Sequence, residues 1–180
     1  MTGLLLAVSL LYAFFTVTLW VTWLRMLPFT PTRNTTTGPR ITVIIPVRNE
    51  AANIGLLLTD LSQQTYSNFE VIVADDSSTD QTLSIVQDYA RHASFTVRPL
   101  ALANERTASP KKRAITQSIA IAEGTLIITT DGDCRVGPDW LASFAAFYQQ
   151  TGANLISGPV TFSAGPAREK PSFTALAVIG

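Results

Sequence analysis

The sequence predicts a doubly wound α/β domain on a mainly parallel sheet, behind one transmembrane helix. Three observations predict it. Short β-branched runs recur from residue 41 onward, helical stretches lie between them, and none of the 13 basic and 13 acidic residues precedes Arg25. Near-continuous apolar runs such as "VIIP", "VIVA" and "LIIT" describe strands covered on both faces.

The elements follow in order. From Gly3 to Leu24 the chain carries no charge, and at 1.5 Å per residue this run reaches about 33 Å, enough to cross a bilayer core of roughly 30 Å. Trp20 and Trp23 stand beside Arg25 at its downstream end, as an interfacial belt requires. A cleaved signal peptide is the competing reading. The absence of a basic leading region, the length of the run and the lack of an Ala-x-Ala site oppose it. Arg25, Arg33 and Arg40 follow the span, so the positive-inside rule puts the remainder in the cytoplasm. This divides the chain into an anchor over 1–27, a Pro- and Thr-rich juxtamembrane linker over 28–40 and a folded domain over 41–180.

Within that domain the strands are "ITVII" (41–45), "FEVIVA" (69–74), "FTVRPL" (95–100), "TLIITT" (125–130) and "NLISGPVTF" (154–162). Ile54, Leu57, Leu58 and Leu61 mark one face of a helix beginning around Glu50. Ser78 with Gln81 forms a capping box for a second helix through Tyr89. Ser109 and Pro110 open a third, and Pro138 a fourth.

Composition narrows the function. With 180 residues, 47% of them hydrophobic, there is material for one core. A net charge of zero gives no sign of a nucleic-acid partner. The single cysteine, Cys134, excludes a disulfide framework and a cysteine zinc cluster, and suits a reducing compartment. The single histidine, His92, reads as a solvated helix-end residue.

In doubly wound sheets ligands sit beyond the carboxyl ends of the strands. There the chain places "PVRNEA", "DDSSTD" and "DGDCRV", so that Asp75, Asp76, Asp80, Asp131 and Asp133 converge on one sheet edge. Like charges so gathered oppose folding unless a cation or donors neutralise them. Asp131 and Asp133, at i and i+2 on a loop, can turn toward one hard cation such as Mg²⁺ or Mn²⁺. Asp80 reads instead as a turn or cap residue. Lys111, Lys112 and Arg113 occupy the first turn of the third helix, where cations are unfavourable against the macrodipole. Such a turn is either simply solvated or holds an anion. Acids and bases together point to a diphosphate.

The motifs "ITVIIPVRNE", "VIVADDSSTD", "PKKRAITQSIAIAEG" and "LIITTDGDC", in this order, resemble the family 2 glycosyltransferases of GT-A fold. The resemblance implies transfer of a sugar with inversion from a nucleotide sugar, usually a UDP-sugar, to an acceptor such as a polysaccharide or lipid. It puts Pro46, Arg48 and Glu50 at the nucleotide pocket and Asp76 against the base. Lys111 matches a Lys-x-x-Ala position, and Asp131 and Asp133 an Asp-x-Asp, the first facing ribose and sugar, the second holding Mg²⁺ or Mn²⁺. Pro110 and Ser77 replace glycines common in the family. The catalytic base and the Gln-x-x-Arg-Trp motif of processive members are expected beyond Gly180, so the chain is expected to bind donor without transferring it. Two alternatives remain at this point: a non-catalytic nucleotide-sugar-binding module, and a haloacid dehalogenase-like phosphohydrolase, which also carries Asp-x-Asp after a strand.

Overall fold

The computed structural model describes residues 2–25, 38–103, 109–158 and 176–177. They fall into two units, residues 1–30 and 31–180. The first is one helix, α1 (Thr2–Arg25), with no buried residue, long and apolar enough to cross a membrane. The hydroxyls of Thr16, Thr18 and Thr22 donate to carbonyls four residues back, at 2.8–2.9 Å. These bonds satisfy the three hydroxyl donors within the helix itself.

The second unit runs β1 (Ile41–Val47), α2 (Ile54–Ser62), β2 (Phe69–Asp75), α3 (Thr82–His92), β3 (Thr96–Ala101), α4 (Pro110–Ile119), β4 (Leu126–Thr129) and α5 (Trp140–Thr151). A short antiparallel pair, β5 (Ile156–Ser157) and β6 (Leu176–Ala177), follows. The main sheet has the order β3-β2-β1-β4, with every pair parallel. The chain moves outward from β1 to β3, then returns to the other side of β1 for β4. This is the expected doubly wound arrangement, with its switch point between β1 and β4.

Alternation along the strands assigns the two faces. Ile41, Val43, Ile45 and Val47 of β1 join Val71, Val73 and Val97 in a core that also takes Leu57, Leu58 and Leu61 of α2, Val86 of α3 and Leu141 of α5. On the opposite face, Ala114 of α4 packs with Ala74 and Leu102. Its small side chain lets that helix lie close to the sheet. Burying each large aliphatic contributes about 1.5–3 kcal/mol, and Leu58, fully buried, would cost about 2–5 kcal/mol as Leu58→Ala.

Two helix starts differ from expectation. The first helix is regular only from Ile54: Glu50 carbonyl accepts from Asn53 N and Ile54 N at 3.0 and 2.9 Å in a separate turn before it. The capping box does not form. Ser78 bonds to Asp75 instead, and α3 begins at Thr82, whose backbone N–H donates to Asp80 Oδ1 at 3.0 Å. In a run of Ser, Thr and Asp several side chains compete for the same backbone donors, and here Asp80, just before the N-cap residue Gln81, takes the Thr82 amide. The remaining starts agree, with Ser109 before Pro110 at α4 and α5 beginning two residues after Pro138. His92 is exposed at the end of α3. Most of the linker, residues 28–37, the end of the fifth expected strand, residues 159–162, and the tail over 163–175 and 178–180 lie outside the described residues.

Candidate functional site

A cleft of about 360 Å³ opens at the switch point. Pro46, Arg48, Glu50, Asp76, Lys111, Asp131 and Asp133, the seven residues that the resemblance puts at the nucleotide and the metal, all line it. Three pieces of local structure bring them there.

The loops after β1 and β2 are stitched together. Asp76 N donates to Val47 carbonyl at 2.9 Å, extending the ladder by one bond beyond the sheet. Asn49 N and Glu50 N donate to the hydroxyls of Ser78 and Thr82 at 2.9 and 2.8 Å, and Thr79 N donates to Asn49 Oδ1 at 2.8 Å. Asn49 and Ser77 both take left-handed backbone, at φ 58°. Asparagine tolerates that conformation; serine is a strained occupant of it. Ser77 stands at the position where the resemblance expects glycine, and the loop keeps the glycine-like turn. Asp80 is spent in this stitching: it accepts from Thr82 Oγ1 at 2.5 Å and from Ala51 N at 3.2 Å. The Thr82 hydroxyl and amide hold its carboxyl below the usual aspartate range. Asp75 is buried and bonded to Ser78. The expected convergence of five aspartates therefore narrows to three, Asp76, Asp131 and Asp133, at the cleft.

The loop after β4 is held from below. A side chain at Gly132 would put its Cβ 2.8 Å from Val47 Cγ1 and 3.3 Å from Glu50 Cγ. Glycine between the aspartates thus lets the loop press onto the end of β1 while Asp131 and Asp133 stay exposed. Downstream, Arg135 grips Asp60 of α2 with two bonds, at 2.6 and 2.7 Å, and donating to the Asp60 carboxylate raises the arginine's pKa. Gln64 Nε2 donates to Gly137 carbonyl at 2.7 Å, and Thr65 N to Pro138 carbonyl at 2.9 Å. Sequence patterns gave no sign of this clamp, because its halves lie 75 residues apart.

The first turn of α4 supplies the cations. Lys111 Nζ meets Asp131 Oδ1 at 2.5 Å, with both side chains more than half exposed. Arg113 points inward and donates through Nη2 to Asp76 Oδ1, while Arg48 approaches Asp76 Oδ2 at 3.6 Å. Lys112 is exposed. The basic turn, open from sequence to solvation or to an anion, is thus divided: one cation faces the paired aspartates, one is bonded to Asp76, and one faces solvent. Asp131 and Asp133 offer the hard oxygen donors that Mg²⁺ or Mn²⁺ take. Among the described residues no group of three or more His, Cys, Asp or Glu side chains could enclose a metal.

Comparison with known proteins agrees with this geometry. The profile described as "Glycosyl transferase family 2" matches residues 42–174. Glycosyltransferase AglE of Haloferax volcanii is 34% identical over 146 residues, which cover 78% of this chain and 47% of that protein. The mannosyltransferase PcManGT from Pyrobaculum calidifontis, solved with GDP-Man and Mn²⁺, superposes with a TM-score of 0.65 at 28% identity, covering 84% of this chain and 45% of that one. Staphylococcus aureus TarS 1–349, solved with UDP-GlcNAc, superposes at 0.55 with 29% identity over 74% of this chain and 37% of that one. The chain therefore spans less than half the length of these three proteins. A parallel sheet with the cleft at its switch point, a matched profile over most of the folded unit and a relative at 34% identity assign the chain to glycosyl transferase family 2.

Proposed function

We propose that this chain forms the donor-binding part of a membrane-anchored glycosyltransferase that uses a UDP-sugar and a divalent cation, with its cleft on the cytoplasmic side. The observation that carries the reading is the meeting of Asp76, Lys111, Asp131 and Asp133 around one cleft at the switch point. Asp76 accepts an N–H of the base. Lys111 leaves Asp131 for the donor diphosphate, which frees Asp131 to face the ribose and the sugar. Asp133, with Asp131 beside it, holds Mg²⁺ or Mn²⁺. Two exposed carboxylates suit such an ion, which keeps waters and takes substrate phosphate oxygens rather than a complete protein cage. When bound, the cation supplies charge stabilisation to the leaving diphosphate. The acceptor hydroxyl, deprotonated by a base outside the residues assigned here, displaces UDP from the anomeric carbon with inversion. The Mn²⁺ in the PcManGT complex and the UDP-GlcNAc in the TarS complex support the donor class. The apolar span of α1 and the arginines after it support the anchor and its orientation. Family membership removes the phosphohydrolase alternative.

Calorimetric titration with UDP, with Mn²⁺ and with EDTA, tests the reading. Mn²⁺ should strengthen UDP binding at least tenfold, and Asp133→Ala should abolish that gain; equal affinity in both conditions refutes the metal assignment. Lys111→Ala should weaken inorganic diphosphate and UDP alike. Release of UDP from UDP-sugars by the chain alone separates a binding module from a complete enzyme.

A further inference from the structure

Asp60 is an acid where a helix least favours one. It stands in the last turn of α2, at the negative end of the helix dipole, and its side chain is 11% exposed against 60% for its partner Arg135. A carboxylate so enclosed must be answered by donors. Oδ2 accepts from Arg135 Nε at 2.6 Å and from Val136 N at 3.2 Å, and Oδ1 accepts from Arg135 Nη2 at 2.7 Å. The planar guanidinium meets both oxygens at once, which fixes direction as well as distance. What this pair holds is the loop of the paired aspartates. That loop leaves the sheet at Thr130, whose N–H donates to Ile44 carbonyl at 3.2 Å, and it turns with Cys134 N donating to Asp131 carbonyl at 3.2 Å. Arg135 and Val136 follow Asp133 by two and three residues, whereas Gly137 and Pro138, held by Gln64 and Thr65, follow it by four and five. Asp133 is exposed, so its carboxylate stands where the backbone on either side puts it.

We propose that Asp60 and Arg135 are positioning residues for the cation: by tying the chain just beyond Asp133, they set its carboxylate before metal and diphosphate arrive. The proposal rests on the reading of Asp133 as the metal residue. A cation held by two protein carboxylates and by substrate oxygens has few protein bonds to enforce its geometry, so the placement of each donor counts for more. A loop free to wander would have to be ordered as the metal binds, and that cost would be subtracted from the affinity. Stability alone would be served as well by an apolar residue at position 60, packed like Leu57 and Leu61 of the same helix. The two-point grip of an arginine on a carboxylate adds what an apolar contact lacks, a fixed direction for the chain that leaves Asp133.

The experiment is equilibrium binding of UDP to the 180-residue chain in detergent, in Mn²⁺ and in EDTA, for the wild type, Arg135→Met, Arg135→Lys and Asp60→Asn. Circular dichroism reports on the fold. The quantity read is the Mn²⁺ gain, the ratio of the two affinities. Arg135→Met should cut the wild-type gain about fivefold, short of the roughly tenfold or greater loss that follows removal of a hydrogen bond to a metal ligand itself, because Arg135 acts through the backbone. UDP affinity in EDTA should be unchanged. Arg135→Lys, which keeps the charge but not the planar fork, should lose part of the gain, and Asp60→Asn should lose as much as Arg135→Met. In an Asp60→Asn background Arg135→Met should cost nothing more, as for two halves of one contact. If Arg135→Met does not fold, Arg135→Gln carries the same expectation. A folded Arg135→Met or Arg135→Gln that keeps the full gain, or that loses UDP affinity equally in Mn²⁺ and in EDTA, overturns this proposal, while loss of the gain in Asp133→Ala leaves the metal reading intact. A wild type with no Mn²⁺ gain overturns both.

Discussion

Glu70 and the paired aspartates, at opposite ends of the sheet, are held in opposite ways. At the amino-terminal end Glu70 is wholly buried and accepts from Thr42 Oγ1 at 2.7 Å, Glu123 N at 2.7 Å and Arg98 Nη1 at 3.3 Å. Burial pushes its carboxyl up, but those bonds from Glu123, Thr42 and Arg98, together with the charge of Arg98, outweigh it and hold the carboxyl below the usual glutamate range. At the carboxyl-terminal end Asp131 and Asp133 are exposed, and Asp131 has the flexible Lys111 for a partner. An acid enclosed by backbone and side-chain donors belongs to the architecture. Acids left in water beside a mobile cation have affinity to spare for something else.

Substitutions at both ends can break that contrast. The largest effect should come from Glu70→Ala, which strands several donors and a partly buried arginine and should cost about 3 kcal/mol, read from the urea midpoint. The stability from this carboxylate is complete above the ordinary glutamate pKa of about 4.3 and is lost as pH falls through its lower folded value. Acidification below about pH 4 should therefore destabilise the wild type more than Glu70→Ala; parallel pH curves would refute the assignment. Next comes Gly132→Ala, whose new methyl collides with Val47; a loss of about 1–3 kcal/mol is expected, together with weaker Mn²⁺-dependent UDP binding as both aspartates shift. Ser77→Gly should work in the other direction, relieving left-handed strain of about 1–2 kcal/mol against a glycine entropy cost of about 0.5–1 kcal/mol. A net gain of about 0.5–1 kcal/mol in thermal or urea unfolding would sharpen the view that the loop shape is kept despite its residue. Smallest of all, Asp133→Ala should change stability by less than about 0.5 kcal/mol while removing the metal dependence of binding. A loss of several kcal/mol there would make Asp133 an architectural acid like Glu70.

The strands and the residues at their ends were legible because their signals are local: an apolar run, then a polar burst, repeated. The gathering of Asp76, Asp131 and Asp133 followed from topology, since a doubly wound sheet brings strand ends together whatever their separation in sequence, whereas Pro46, Arg48 and Glu50 were placed by the family resemblance alone. The partners chosen by single side chains were not legible. Ser78 was expected to cap a helix and instead bonds Asp75 and Asn49, a choice between neighbours of nearly equal chemistry. Arg113 was grouped with Lys111 and Lys112 as one basic turn. Only the helical rotation of about 100° per residue, combined with the close approach of Ala114 to the sheet, sends it toward Asp76. Glu70 and Arg98 left one usable trace, since a charged residue within an apolar strand needs a buried partner.

The helix α2 touches both sides of this arrangement. Its leading turn continues from the stitched loops that carry Arg48 and Asp76, and its far end holds the paired-aspartate loop through Asp60 and Gln64. Nine residues at 1.5 Å make it a spacer of about 13 Å, a gauge block set between the two jaws of the cleft. Jaw separation is then fixed by the residue count of one short helix. Adding a single residue after Thr59 would turn Asp60 about 100° around the axis, away from Arg135, and would change the bore of the cleft without altering any residue that lines it.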